Sequence, residues 1–251
     1  MVNSASTCVI LAGGAGSRLR GLIGDCPKPL AMVNGRPFLD WILFFLAANG
    51  IDQAVISTGY RGDIFEDYVK HRLFRPIRVS CIREADALGT GGGLAHVAVN
   101  MQPASKMWLI CNGDTLALAP LSILFSALLN PRVDGVVLGV TVSDISRFGS
   151  MIMNRDGNLI GFAENRQGAG IVNAGVYLLR DEIIRDLPQG QPCSLESEAI
   201  PSWIEAGRTF RVATAKCPFI DIGTPNSFYR ASDFVRSHRS TILAGGIVGH
   251  Q

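Results

Sequence analysis

Residues 8–19 read Cys8-Val9-Ile10-Leu11-Ala12-Gly13-Gly14-Ala15-Gly16-Ser17-Arg18-Leu19, and Pro27-Lys28-Pro29 follows a short connection later. Five apolar residues with β-branched members make a short buried strand. The strand runs into glycines at 13, 14 and 16. Glycine permits positive φ and a close approach of backbone to a ligand. Backbone N–H groups at such a turn, together with the start of a helix, attract anions. Arg18 can fork onto phosphate oxygens. Lys28 is held between two prolines that restrict its backbone. The glycines alone would fit a tight turn equally well; the cations beside them favour a phosphate site. Two common phosphate motifs do not fit. GxxxxGK[ST] is absent, and Gly14-Ala15-Gly16 is followed by Leu19 where GxGxxG needs its third glycine. The second strand closes on Ser57-Thr58-Gly59-Tyr60, without the acid that would bind a ribose.

Outward from this segment, apolar runs alternate with helical patterns. Residues 38–49 are apolar nearly all round, with Asp40 as the one charge and Gly50 at the C-terminal end. That predicts a helix packed between layers. Residues 53–58, 77–82 and 106–111 read as strands, and 62–73 and 91–100 as helices. The alternation predicts βαβ units and a mostly parallel sheet. After residue 111 the rhythm changes. A helix is expected over 121–129, then strands at 136–142, 150–154, 159–162 and 172–179, with Asp156-Gly157 as a hairpin turn. Helices are expected over 195–206 and 226–237, the last opened by Thr224-Pro225. The fold class is therefore α/β, a nucleotide-binding sheet facing a more antiparallel second part across a cleft, with ligands at the carboxyl ends of the strands.

Composition narrows the function. The 251 residues are 47% apolar and 18% charged, which excludes an intrinsically disordered chain. Lys and Arg total 23 against 21 Asp and Glu, a net charge of +2, which excludes a strongly electrostatic nucleic-acid binder. The six cysteines form no CxxC pair and only four histidines are present, so no zinc finger or redox pair is written here. Reduced, mostly buried thiols are expected. Residues 1–7 are polar, so no signal peptide is read. The longest apolar run, 41–48, is far short of the ~20 residues that cross a bilayer. The expectation is a cytoplasmic protein with small-molecule partners and neither nucleic acid nor membrane, a homo-oligomer remaining open.

Residues 11–19 with Pro27-Lys28-Pro29 resemble the signature of sugar-1-phosphate nucleotidylyltransferases. Further segments agree in order. Leu88-Gly89-Thr90-Gly91-Gly92-Gly93 resembles the base-recognition loop of the mannose-type members. Asn112-Gly113-Asp114 resembles a metal-binding turn, Asn173-Ala174-Gly175-Val176-Tyr177 the sugar-pocket strand, and Asp221-Ile222-Gly223-Thr224-Pro225 a second metal-binding turn. The match runs from about Cys8 to about Phe234. Within the family the wording is most similar to D-glycero-α-D-manno-heptose 1-phosphate guanylyltransferases, which act in making bacterial surface polysaccharides. The resemblance implies a Rossmann-like three-layer fold forming one domain over residues 1–240. About 1–118 would bind nucleotide and about 119–240 sugar, with 241–251 as a flexible tail.

The resemblance implies a Mg²⁺-dependent transfer of a nucleotidyl group from an NTP, GTP above others, to a sugar 1-phosphate, heptose above others, releasing pyrophosphate. Such chemistry is mainly positioning plus electrostatic stabilisation. It needs cations and metal ligands rather than a nucleophilic side chain. Arg18 and Lys28 would be the catalytic cations. Asp114 and Asp221 would hold magnesium, which is commonly bound by one or two carboxylates plus substrate phosphates. Each aspartate alone would equally be a turn former. Leu11, Ala12, Gly13, Gly14, Gly16, Glu84, Gly89, Thr90 and Gly91 would contact the nucleotide, although Glu84 fits a surface glutamate equally. Asn112, Gly149, Glu164, Asn173 and Glu196 would contact the sugar, although Glu196 also fits a first-turn helix charge. Two departures stand out. Many members carry lysine, contacting the sugar phosphate, where this chain has Asn165; Arg166 or Lys216 could replace it. The usual Thr-rich connection is replaced by residues 21–26. The alternatives are the same chemistry on mannose or N-acetylmuramate 1-phosphate with GTP or UTP, or a non-catalytic nucleotide-sugar sensor. The presence of Arg18, Lys28, Asp114 and Asp221 together argues against the sensor.

Overall fold

The structure is a computed structural model that describes residues 7–72, 76–101, 106–163 and 166–244. Its strands are β1 (Thr7–Ala12), β2 (Met32–Val33), β3 (Arg36–Pro37), β4 (Gln53–Thr58), β5 (Arg78–Arg83), β6 (Met107–Asn112), β7 (Thr115–Ala117), β8 (Gly135–Val142), β9 (Ser150–Met153), β10 (Leu159–Ala163), β11 (Gly170–Arg180), β12 (Phe210–Ala215) and β13 (Phe219–Asp221). Its helices are α1 (Arg20–Ile23), α2 (Phe38–Ala48), α3 (Gly62–Lys70), α4 (Gly89–Asn100), α5 (Ser122–Leu128), α6 (Asp181–Ile184), α7 (Ile200–Glu205), α8 (Pro225–Ser237) and α9 (Arg239–Ala244).

β1 is the central strand of a parallel ribbon. It pairs with β4 on one side and β6 on the other, and β4 carries β5. Alternation along β1 sorts its side chains between two layers. Cys8 and Ile10 join one core with α2, while Val9 joins another with Leu94 and Val97 of α4. Helices therefore cover both faces, as a parallel sheet requires. α2 is buried nearly all round, as its sequence predicts, and ends at Gly50 with φ 83°.

The direction of the sheet changes beside β6. Strand β11 pairs antiparallel to β6, and β8, β9 and β10 extend that antiparallel part, with β12 parallel to β8. Asn112 and Asp114 thus sit at the carboxyl end of β6, where the strand order reverses and a crevice opens. β7 and β13 then form a separate small antiparallel pair with Asp221 opposite Thr115. That pairing brings the two Asp-containing turns together from distant parts of the chain.

Several details differ from the sequence expectations. The glycine run is the first turn of α4, which starts at Gly89 rather than 91. The helix expected over 195–206 opens with a π-helical turn, Leu195–Ala199, before α7. β12 and the β2–β3 hairpin, whose Asn34-Gly35 both have positive φ, were not anticipated. Residues 241–244 of the tail expected to be loose belong to α9, with Ile242 buried; 245–251 lie outside the described residues. The cysteines are free thiols, with Cys8 Sγ 3.6 Å from Cys111 Sγ. No helix among the described residues is long and apolar enough to cross a membrane.

Candidate active site

A cavity of about 610 Å³ opens at the carboxyl ends of β1, β4 and β6, with Leu11, Ala12, Gly13 and Gly14 as one wall. Gly13 cannot gain a side chain freely: a Cβ there would lie 3.2 Å from both Glu84 carboxylate oxygens. Gly14 faces open space. Gly16, at φ 58°, turns the loop back against Lys28, with 3.4 Å between its would-be Cβ and the lysine Cβ. Lys28 lines the cavity. Gly16 and Arg18 are not part of its wall; Arg18 is exposed on the turn Ser17–Leu19 beside it.

Glu84 is buried, only 4% exposed, so it is not a surface glutamate. It accepts hydrogen bonds from Ser57 Oγ at 2.7 Å and Leu88 N at 3.1 Å. Its carboxylate braces the start of α4 against the β1 loop while still lining the cavity. Gly89 and Thr90 also line it. Gly91 does not; its N–H donates to Cys193 O at 2.8 Å. A Cβ at Gly92 would come within 2.4 Å of Gln191 O. The glycines thus serve two purposes. Those at the front leave room for a ligand, and those behind let residues 191–193 dock on the helix.

At the junction of β6 and β13, Lys28 Nζ lies 2.6 Å from Asp114 Oδ2, and Thr115 Oγ1 donates to Asp114 Oδ1 at 3.1 Å. Asp221 Oδ1 accepts from Gly223 N at 2.6 Å. Burial first, and then the charge of Asp114, push the Asp221 carboxyl above its ordinary pKa, against the pull of Lys28 and Arg147. No cluster of three or more His, Cys, Asp and Glu side chains suited to a metal occurs among the described residues. The donor set is therefore two neighbouring carboxylates, which leaves most coordination positions to water and substrate oxygens. That fits a small hard divalent cation.

A second cavity, about 460 Å³, lies on the other side of Asn112, which lines both. Gly149, Asn173, Glu196 and Asp221 are among its walls. A polar network fixes this wall. Tyr177 OH donates to Glu196 Oε1 at 2.6 Å and accepts from Asn173 Nδ2 at 2.7 Å. Asn173 Oδ1 accepts from Gly175 N at 2.9 Å. Thr90 Oγ1 donates to Glu196 Oε2 at 2.8 Å, which ties this cavity to the first one. Burial, then the charge of Glu196, holds the Tyr177 phenol well above its usual pKa, so it remains a donor. Ser194 Oγ donates to Glu196 Oε2 at 3.2 Å, so Glu196 is held by Tyr177, Thr90 and Ser194, more than a helix-terminus charge requires. Glu164 and Asn165 lie outside the described residues. Arg166 and Lys216, read as substitutes for a lysine, are exposed and not in the wall. Arg147 is in it, together with Thr115. Sequence reading missed Arg147 and Tyr177; each stood inside a recognised segment, beside the residue that was chosen.

A family model described as nucleotidyl transferase matches residues 7–238. The mannose-1-phosphate guanylyltransferase of Mycobacterium tuberculosis is 33% identical over 248 residues, covering 97% of this chain and 68% of the relative. The D-glycero-α-D-manno-heptose 1-phosphate guanylyltransferase of Aneurinibacillus thermoaerophilus is 31% identical over 224 residues, covering 89% of this chain and 95% of the relative. Among solved structures, HddC from Yersinia pseudotuberculosis complexed with GMP-PN is similar with a TM-score of 0.81 and 32% identity, covering 90% of this chain and 98% of that one.

Proposed function

The chain belongs to the nucleotidyl transferase family, and from that membership and its paired cavities we propose that it transfers the GMP moiety of GTP to a manno-configured sugar 1-phosphate. The observation that carries this reading is the junction itself. Lys28, Asp114 and Asp221 stand between a glycine-walled cavity and a hydroxyl-binding one, with Asn112 lining both. In the reaction a phosphate oxygen of the sugar 1-phosphate attacks the α-phosphorus of the nucleotide. The bond from that phosphorus to the β-phosphate bridging oxygen breaks, and pyrophosphate leaves. Negative charge grows on phosphate oxygens, so fixed cations and N–H groups are what lower the barrier.

This chain's residues supply that setting. The open backbone at Gly13 and Gly14 admits phosphate oxygens close to N–H groups. Lys28, paired with Asp114 in the free protein, can exchange that carboxylate for a phosphate oxygen. We propose Mg²⁺ as the cofactor, held by Asp114 and Asp221; when bound it neutralises charge on the phosphates. Its presence also suits Asp221, which must be ionised to bind it. Glu84, fixed in the nucleotide cavity, carries acceptor oxygens matched to the N–H edge of guanine. Asn173 can donate to and accept from sugar hydroxyls, and the Glu196 carboxylate can accept from them.

GTP is supported by the guanylyltransferase relatives and by the GMP-PN complex of the similar structure. For the sugar we favour D-glycero-α-D-manno-heptose 1-phosphate, with its product feeding surface polysaccharide synthesis in the cytoplasm; two heptose enzymes at 31% and 30% identity support it. Mannose 1-phosphate is the second reading, favoured by the 33% identical mycobacterial enzyme. Pyrophosphate release with Mg²⁺ over a matrix of GTP, ATP, CTP, UTP and dTTP against heptose, mannose, glucose and N-acetylmuramate 1-phosphates tests both. Fast release with GTP and heptose 1-phosphate is expected. Release confined to another base, or to a gluco-configured sugar, would overturn the reading.

A further inference from the structure

The sugar cavity has to accept a phosphate dianion beside two carboxylates, Asp114 and Asp221, and the one lysine at their junction is already paired with Asp114 at 2.6 Å. Position 165 is an asparagine and cannot supply charge. Arg166 and Lys216 stand off the wall. The cationic side chain that does line this cavity is Arg147.

Its surroundings fit an anion site. The guanidinium is tethered on one side, where Nη2 donates to Thr224 Oγ1 at 3.1 Å, and its carbon lies 5.6 Å from the centre of the Phe148 ring. Phe148 in turn packs edge-on against Phe219, next to Asp221, at 5.4 Å between ring centres. A stacked, tethered guanidinium keeps its planar fork pre-organised and loses less freedom on binding. Thr224 belongs to the turn that follows Asp221, so this bond sets the guanidinium at the Asp221 end of the cavity, with the exposed Asp144 also within reach of its charge. No carboxylate lies within ion-pair distance of it among the described residues. The helix dipole does not favour its position either. Thr224 is the N-cap of α8, and a cation beside a helix N-terminus meets the positive end of the helix dipole. An arriving anion reverses that sign.

We propose that Arg147 binds the phosphate group of the sugar 1-phosphate. This rests on the nucleotidyltransferase reading above. Arg147 then forks onto two phosphate oxygens, while Glu196 and Asn173 hold the hydroxyls. The attacking oxygen is presented to the nucleotide's α-phosphorus from the Asp221 side. Arginine rather than lysine matters, because two-point contact fixes the orientation of the phosphate.

The test is Arg147→Ala and Arg147→Lys, with Arg166→Ala and Lys216→Ala as comparisons, measured by pyrophosphate release and by calorimetric binding of mannose 1-phosphate and heptose 1-phosphate. Arg147 is exposed, so the variants should fold, which thermal unfolding checks. Loss of a charge-assisted contact is expected to raise KM and Kd for the sugar 1-phosphate about 10- to 100-fold, while KM for GTP stays within about twofold. Lysine should recover part of the loss. Unchanged KM and Kd in Arg147→Ala, or the same loss in Arg166→Ala or Lys216→Ala, overturns the proposal and leaves the enzyme reading standing. Sugar phosphate binding that depends on Arg147 in a wild-type protein without turnover would do the reverse. No sugar phosphate binding at all would overturn both.

Discussion

Tyr177→Phe removes one oxygen from the centre of the network that shapes the sugar cavity. The phenol is fully buried and makes two short bonds, to Glu196 Oε1 at 2.6 Å and from Asn173 Nδ2 at 2.7 Å. Losing a hydrogen bond to a charged acceptor and leaving an amide donor unpaired costs about 2–3 kcal/mol. For a chain of this length that is a fall in Tm of about 5–10 °C. The ring itself still fills its site, so no cavity adds to the loss. Glu196 keeps Thr90 and Ser194 on its other oxygen, at 2.8 and 3.2 Å, so the nucleotide cavity is unaffected. Glu196 Oε1 and Asn173 Nδ2 lose their shared partner, while Asn173 Oδ1 keeps Gly175 N. KM for the sugar 1-phosphate should rise about tenfold, equal to about 1.4 kcal/mol, with KM for GTP unchanged. Thermal unfolding without ligands and steady-state kinetics with each substrate varied in turn measure both effects. A Tm within 1 °C of wild type, or a rise in KM for GTP instead, would refute the idea that Tyr177 positions the sugar-facing groups.

Lys28→Met is expected to lower turnover about 10²- to 10³-fold while the far-ultraviolet circular dichroism stays that of the parent, since it removes a fixed charge from a partly exposed site. Asp221→Asn should abolish turnover yet raise the Tm of the metal-free protein at neutral pH. The folded-state pKa of Asp221 is raised, so the folded chain holds that proton more tightly than the unfolded one; stability is lost as pH rises through that range, and the variant's advantage should vanish at pH below about 4. An advantage that persists there would contradict the assignment. Gly92→Ala drives a Cβ to 2.4 Å from Gln191 O and should cost about 1–3 kcal/mol, whereas Gly161→Ala, with open space around it, should leave unfolding unchanged. Chelation with EDTA should stop pyrophosphate release and added Mg²⁺ should restore it; full activity in EDTA would remove the metal from the account.

The first half of the fold was legible because its signals are local. Residues 8–12 are an apolar run between polar residues and glycines, and 38–48 are apolar nearly all round apart from Asp40, so neither has another stable place than between layers. β12 was harder to read, because its pairing with β8 is set by tertiary contact rather than by its own alternation. The β2–β3 hairpin did carry a signal, Asn34-Gly35, but strands of two residues are too short to show a period. The expected helix begins at Gly91 rather than Gly89 because glycine is a poor helix former; the packing of residues 191–193 against residues 89–92 decides otherwise. The candidate carboxylates Asp114 and Asp221 were legible as glycine- and aspartate-rich turns that follow apolar runs. Arg147 was overlooked because an exposed arginine carries no pattern of its own, and only the folded chain sets it against Thr224, in the turn that follows Asp221.

The central claim is that the α-phosphorus of GTP is the reacting atom. Incubating the protein with Mg²⁺, a manno-configured sugar 1-phosphate and GTP labelled in either the α- or the γ-phosphate tests it directly. The α label should appear in a nucleotide-sugar and the γ label in pyrophosphate, in equal amounts. Transfer of the γ label to the sugar phosphate, or its release as inorganic phosphate with no nucleotide-sugar formed, would contradict the account.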